Sequence, residues 1–270
     1  MHCRFKRLLT TQVRFLHNLR MFDPVTVFSS WPEFLGICLV LVVAEIVYVS
    51  FGFGAGLIAV GLSAAIHPEI KDIAVILLLI NIPIEILVVR NAWLKIPWSG
   101  VLMICLGVIA GVPLGTWILS IGKPTIVLTV LGGVLILVGL AFLCIPLHTR
   151  VRWAAWSAPP TGLVSGFLGG LFGTGGPPVI IYYRLSGVDK AVFRGSLMAV
   201  FLIIALVRVP SYIVGGLITE PRLWSALAVV PAVILGAFLG SRIHIKLSEE
   251  KFRRIVSAVL VLIGVLLLFR

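Results

Sequence analysis

The sequence predicts an all-α, polytopic membrane protein made of two pseudo-repeats of four elements each, and three observations predict it. Hydrophobic residues make up 60% of the 270 and charged residues only 12%, with a mean hydropathy of +1.17. A soluble domain of this length cannot bury so much apolar surface. Apolar windows of roughly membrane-spanning length fall at 34–66, 73–89, 98–121, 125–145, 159–183, 191–217, 223–245 and 255–269. Glycine-containing stretches also recur in the same order in both halves, the mark of an internal repeat. "GFGAGLIAV" at 52–60 precedes "GTGGPPVII" at 173–181 by 121 residues, and "GVPLGTWI" at 111–118 precedes "GAFLGSRI" at 236–243 by 125. The expected organisation is a basic interfacial segment over 1–32, a first repeat over 33–147 and a second over 148–270.

The first twenty residues, MHCRFKRLLTTQVRFLHNLR, hold five Lys/Arg and no acid. They read as a basic interfacial helix ahead of the first membrane element; a mitochondrial-type presequence shares this character, but this one lacks serine. The first element, 34–66, is 33 residues long. As continuous helix that is about 50 Å against roughly 30 Å of hydrocarbon. A re-entrant hairpin around Gly52, Gly54 and Gly56 resolves the excess, and if both repeats fold so, each crosses three times and the two are inverted. Eight plain crossings with a kinked first and fifth helix make the repeats parallel instead. Lys/Arg counts on the two sides are nearly balanced under either scheme, so the positive-inside rule does not decide.

The second helix carries Glu85 four residues after Asn81 on one face, with Pro83 between them to loosen the backbone. The third carries Gly111 and Gly115, matched by Gly236 and Gly240 in the other half; glycines four apart share a face and admit a neighbouring backbone, which is packing and not chemistry. The fifth element contains "GGLFGTGGPPVIIYY". In hydrocarbon an unpaired backbone group costs several kcal/mol, so irregular backbone persists there only inside protein or beside a wet cavity. Glycine permits left-handed backbone; Pro177 and Pro178 suit the first turn of a new helix. That half-helix would present free N–H groups and about half a positive charge near the midplane, an anion site. A β-branched residue at Gly175 is expected to be barred by positive φ.

Ionisable residues inside the apolar runs are few: Glu45 in the first element, Glu85 in the second, and Arg194 and Arg208 in the sixth. A guanidinium suits an anionic oxygen group; snorkelling, or a structural pair between Arg208 and Glu85, is the bland reading. Glu45 and Glu85 either carry a proton or neutralise an arginine. Tyr182 and Tyr183 read as interfacial anchors or as donors to a substrate.

The net charge of +12 is spread over short connections, not gathered on a Lys/Arg-rich face that would bind nucleic acid, and reads as headgroup anchoring. Cys3, Cys38, Cys105 and Cys144 stand singly, without zinc or redox spacing, so neither metal nor cofactor is expected. An intramembrane enzyme is disfavoured: His2, His17, His67, His148 and His244 lie in loops, the tail or helix ends, and Ser165 lacks a nearby base.

Three stretches carry a family resemblance. "SGFLGGLFGTGGPPVIIYY", "FRGSLMAVFLIIALVR" and "PAVILGAFLGSRIHIKLSEEKFRRIVSAVLVLIGVLLL" closely resemble the second half of the TauE/SafE family, the sulfite exporter or toluenesulfonate-uptake permease family. "GFGAGLIAV" and "GVIAGVPLGTWI" resemble its first repeat, with Ala55 where another glycine is common. The resemblance covers about 34–269. It implies a secondary transporter in the bacterial cytoplasmic membrane, usually an exporter of sulfite, sulfoacetate or other organosulfonates. A proton or sodium ion would be the coupling ion, with a homodimer as an open oligomeric state. Carried onto this chain, the pattern marks Gly173, Gly175, Gly176 and Pro177 as the second glycine motif, with Thr174 inside it, and Arg194 and Arg208 as the membrane arginines. A passive anion channel, or a carrier of another small organic anion, would use much the same residues.

Overall fold

The computed structural model describes residues 25–51, 55–144, 155–242 and 249–269. The basic segment at 1–20, Gly52 and Gly54 lie outside the described residues. The described chain is all helical: α1 Trp31–Phe51, α2 Ala55–Ile66, α3 Ile70–Ala92, α4 Trp98–Ile121, α5 Pro124–Cys144, α6 Ala158–Phe172, α7 Gly176–Leu185, α8 Lys190–Val214, α9 Glu220–Arg242 and α10 Glu249–Leu268. Of these, 6 are long and apolar enough to cross a membrane. The outward faces are correspondingly greasy, with Leu39, Leu106, Ile109, Leu137, Leu227 and Ile234 all exposed, a surface only lipid tolerates.

The first and fifth apolar windows each divide into two helices. α2 turns back along α1, so that a Cβ built on Gly36 would stand 3.3 Å from Ile66 Cδ1 and His67, just past α2, reaches Glu33 at the start of α1. In the other half α6 stops at Phe172. Gly173 caps it in the left-handed region, φ 80, with its N–H on Gly169 O, and α7 begins at Gly176 with prolines in its first turn.

Glycine ladders set the long-range packing. Lipid tails are as apolar as leucine, so close van der Waals approach, and not water exclusion, holds such helices together. On α4, a Cβ at Gly107, Gly111 or Gly115 would collide in turn with the backbone of Pro159, Leu163 and Phe167 on α6. Gly162, Gly166 and Gly170 return the same contacts onto Ile104, Val108 and Val112. The two helices therefore run parallel, backbone on backbone. Gly236 and Gly240 of α9 meet Val42 and Ile46 of α1, again parallel, whereas Gly132 and Gly139 of α5 meet Gly264 and Ser257 of α10 in antiparallel order. α3 and α8 are antiparallel too: Ala74 lies by Arg208 and Ala92 by Gly195.

One end of the bundle is tied by polar side chains. His67 Nδ1 lies 2.5 Å from Glu33 Oε1 and its Nε2 2.8 Å from Asp72 Oδ2. Arg222 Nε, from the first turn of α9, reaches Asp72 Oδ1 at 2.6 Å. Lys71 Nζ donates to Ser120 O at 3.0 Å, joining the start of α3 to the end of α4.

Candidate functional site

The interruption at 173–175 is built locally. A left-handed glycine ends α6, and Ser165, one helical stretch back on α6, donates its hydroxyl to Gly175 O. This ties α6 to the residue that caps the start of α7. No acceptor among the described residues takes the N–H of Thr174, Gly175 or Gly176, and Pro177 and Pro178 have none to give. The sequence expectation of positive φ at Gly175 is corrected here: Gly175 has φ −83, and Gly173 is the left-handed residue. A run of glycines does not say which of them caps the helix; the prolines fix where α7 starts, and the cap falls three residues earlier. Gly175 is nevertheless closed to side chains, because a Cβ there would stand 2.6 Å from Ser165 O and 2.7 Å from Ile204 Cδ1.

The two interrupted elements touch: a Cβ on Gly56 would lie 3.5 Å from Thr174 Cγ2. Around that contact lies a cavity of ≈ 70 Å³, room for a few waters or a small oxyanion. Its wall unites Glu45, Gly56, Asn81 and Glu85 from one half with Gly173, Thr174, Gly175, Gly176 and Arg208 from the other. Pro177 is buried beside it in the first turn of α7 but does not line it. Arg194 stands exposed at the start of α8 and does not line the cavity.

Arg208 is 4% exposed and rigidly held. Its Nη2 donates to Ala74 O at 2.9 Å and to the Tyr212 hydroxyl at 2.8 Å, and Tyr212 donates onward to Gly170 O at 2.9 Å. Its Cζ sits 4.8 Å from the centre of the Tyr212 ring, close enough for a cation–π contact. Two hydrogen atoms on Nη2 are thus committed to structure, while the buried Nε–H has no partner. Among the described residues Arg208 forms no ion pair, so the expected alternative of a direct pair with Glu85 is not what the geometry contains. Glu45 and Glu85 are buried, and each has a carboxyl oxygen, Oε2, without a partner. Among the described residues the cavity wall therefore brings together three backbone amides, one guanidinium N–H and two carboxyl oxygens that have no partner in the protein. Unpaired buried polar atoms are costly.

Two wall or supporting residues escape sequence reasoning. Tyr48 lines the cavity and its hydroxyl meets Met198 Sδ; on the sequence it is one apolar residue among many. Tyr212 does not touch the cavity, yet it holds Arg208. Its place one turn after Arg208 was the available signal.

Helical spans around a polar hollow define a multi-pass membrane protein with an internal cavity. Residues 37–267 match the sulfite exporter TauE/SafE family, and the chain belongs to that family. It is 25% identical over 217 residues, 79% of this chain and 85% of the relative, to the "Probable sulfite/organosulfonate exporter TauE" of Cupriavidus necator. No solved structure matches it significantly. The protein is accordingly a multi-pass cell-membrane protein of an anion-transport family.

Proposed function

We propose that this protein is a secondary transporter that exports a sulfur-containing anion, sulfite or an organosulfonate such as sulfoacetate, by alternating access around the cavity at the two helix breaks. One observation carries the reading: the unpartnered Nε of Arg208 and the free amides of Thr174, Gly175 and Gly176 share one buried hollow. Their common preference is an oxyanion, taken up by charge-assisted hydrogen bonds in a medium of low dielectric. The family and the named function of the Cupriavidus relative supply the sulfur chemistry.

In this reading the repeats are inverted and their first elements are re-entrant hairpins. The contact register supports it. A two-fold axis in the membrane plane makes equivalent helices antiparallel, which fits α5 with α10 and α3 with α8. An axis along the membrane normal would make those pairs parallel. The parallel contacts of α4 with α6 and of α9 with α1 then follow only if each first element re-emerges on the side it entered.

Glu45 and Glu85 give the site its coupling. Beside a bound anion an ionised carboxylate repels, whereas a protonated one donates a hydrogen bond. A proton taken up with the anion and lost on the other side would link the two fluxes.

The deciding experiment measures flux of sulfite, sulfoacetate and sulfate side by side in sealed proteoliposomes, with and without an imposed proton or sodium gradient. Gradient-driven uphill movement of a sulfur anion is expected, abolished in Arg208→Ala with membrane insertion unchanged. Flux that only runs downhill would make the protein a channel, and normal flux in Arg208→Ala would take Arg208 out of the site.

A further inference from the structure

A second hollow lies on the outer surface of the bundle, at the end opposite the Glu33–His67–Asp72–Arg222 cluster. It is a groove of ≈ 280 Å³ between α3 and α8, walled by Ile86, Val89, Arg90, Trp93 and Leu202. The wall is almost wholly apolar, so Arg90 lines it with its methylene stem and, being exposed, carries its guanidinium at the edge, and no described residue fills the space. We propose that this groove holds one phospholipid with an anionic headgroup, its phosphate at Arg90 and an acyl chain laid along Ile86, Val89 and Leu202.

Charge complementarity names the occupant. Among the described residues this end of the bundle collects Arg90, Lys95, Arg184, Arg194, Arg242 and Arg254, against few acids, whereas at the other end Lys71, Lys123 and Arg222 are outnumbered by Glu33, Glu69, Asp72 and Glu220. Basic residues at helix ends draw anionic lipid, and the attraction falls away within a Debye length. Trp93 marks the depth. Its ring lies 4.3 Å from that of Trp98, whose indole N–H donates to Trp93 O at 3.2 Å, so Trp93 is fixed at the rim, where tryptophan meets headgroups. Below it the exposed Ile86 and the half-buried Leu202 continue the wall into the hydrocarbon layer. A soluble phosphate would satisfy Arg90 and leave that apolar wall unused; a lipid uses both. Val89 follows Glu85 by one turn, so a lipid seated here braces the helix that carries Asn81 and Glu85 to the cavity.

Native mass spectrometry of the full chain, released from nanodiscs containing equal phosphatidylglycerol and phosphatidylcholine, tests this directly. The wild type is expected to retain one phosphatidylglycerol. Arg90→Gln should reduce its occupancy about fivefold, the effect of one basic residue at a membrane surface, and Leu202→Trp, which fills the groove and leaves the charge, should displace it. Arg254→Gln, at the same end but ion-paired with Glu250 on α10, should retain it, and added inorganic phosphate should not compete. Equal loss in Arg90→Gln and Arg254→Gln, equal retention of phosphatidylcholine, displacement by inorganic phosphate, or unchanged occupancy in Leu202→Trp would each overturn the proposal.

Discussion

Replacing His67 with glutamine tests how the polar-tied end of the bundle is held. Both ring nitrogens of His67 face carboxylate oxygens, at 2.5 and 2.8 Å. A neutral imidazole has one N–H, so only the imidazolium donates to both. Burial pushes the His67 pKa down, but its hydrogen bonds to Asp72 and Glu33 and their charges outweigh it, and the net shift is upward. A raised folded-state pKa means stabilisation that is complete below the unfolded histidine value of about 6.5 and lost as pH rises through the higher folded one. The size follows from what survives the change. Asp72 keeps Arg222 at 2.6 Å and Glu33 keeps the Ser29 amide at 2.9 Å, so neither acid is orphaned, and the cost stays near one ionic hydrogen bond, about 2 kcal/mol. At about 2–4 °C per kcal/mol for a chain of this size, Tm should fall by about 4–8 °C. Thermal melts of the detergent-purified protein from pH 6 to 9 measure it. The gap between wild type and His67→Gln should be widest at the acid end and shrink toward the alkaline end. A gap that is constant, or that widens with pH, would refute the imidazolium bridge.

Three further outcomes are expected. Tyr212→Phe keeps the ring under Arg208 but removes the acceptor for Nη2 and the donor to Gly170; transport KM should rise about tenfold, the loss of one charge-assisted hydrogen bond, with Vmax changing less, as flux titrations would read. Gly173→Ala puts a Cβ at positive φ, 3.1 Å from Arg208 Nη2, at a backbone cost of roughly 1–2 kcal/mol, so flux should drop while the protein still inserts. Gly111→Leu drives a side chain into the Leu163 carbonyl, where no rotamer escapes backbone, and should remove monodisperse protein in size-exclusion chromatography; a wild-type elution profile would show the seam to be loose.

Much of this was readable from composition, because lipid imposes a strong rule: backbone must bond to itself, so apolar length announces helices and glycine within it announces a break. The meeting of Asn81, Glu85 and Arg208 also followed from their being the rare polar residues in apolar runs. What stayed hidden depends on contacts distant in sequence. Glu33, the pair His67 and Asp72, and Arg222 come from three separate stretches, and each alone looks like an ordinary loop or helix-end charge. Arg194, charged like Arg208 but only four residues into its helix, is exposed and does not line the cavity, because residue type alone does not give the direction a side chain takes. The packing of the glycine pairs could be foreseen; their partners could not, since nothing in "GVPLGTWI" says that it will lie on the helix of "SGFLGG".

That choice of partner reaches beyond stability. Because α4 is zipped to α6 and α9 to α1 through backbone contact, each half of the gene lends an arm to the other, and residues 33–147 cannot swing as a block against 148–270 without tearing both seams. Whatever tilts during a cycle must be a composite of strands of chain drawn from both halves. Cysteines placed to lock α4 onto α6 should therefore leave turnover intact.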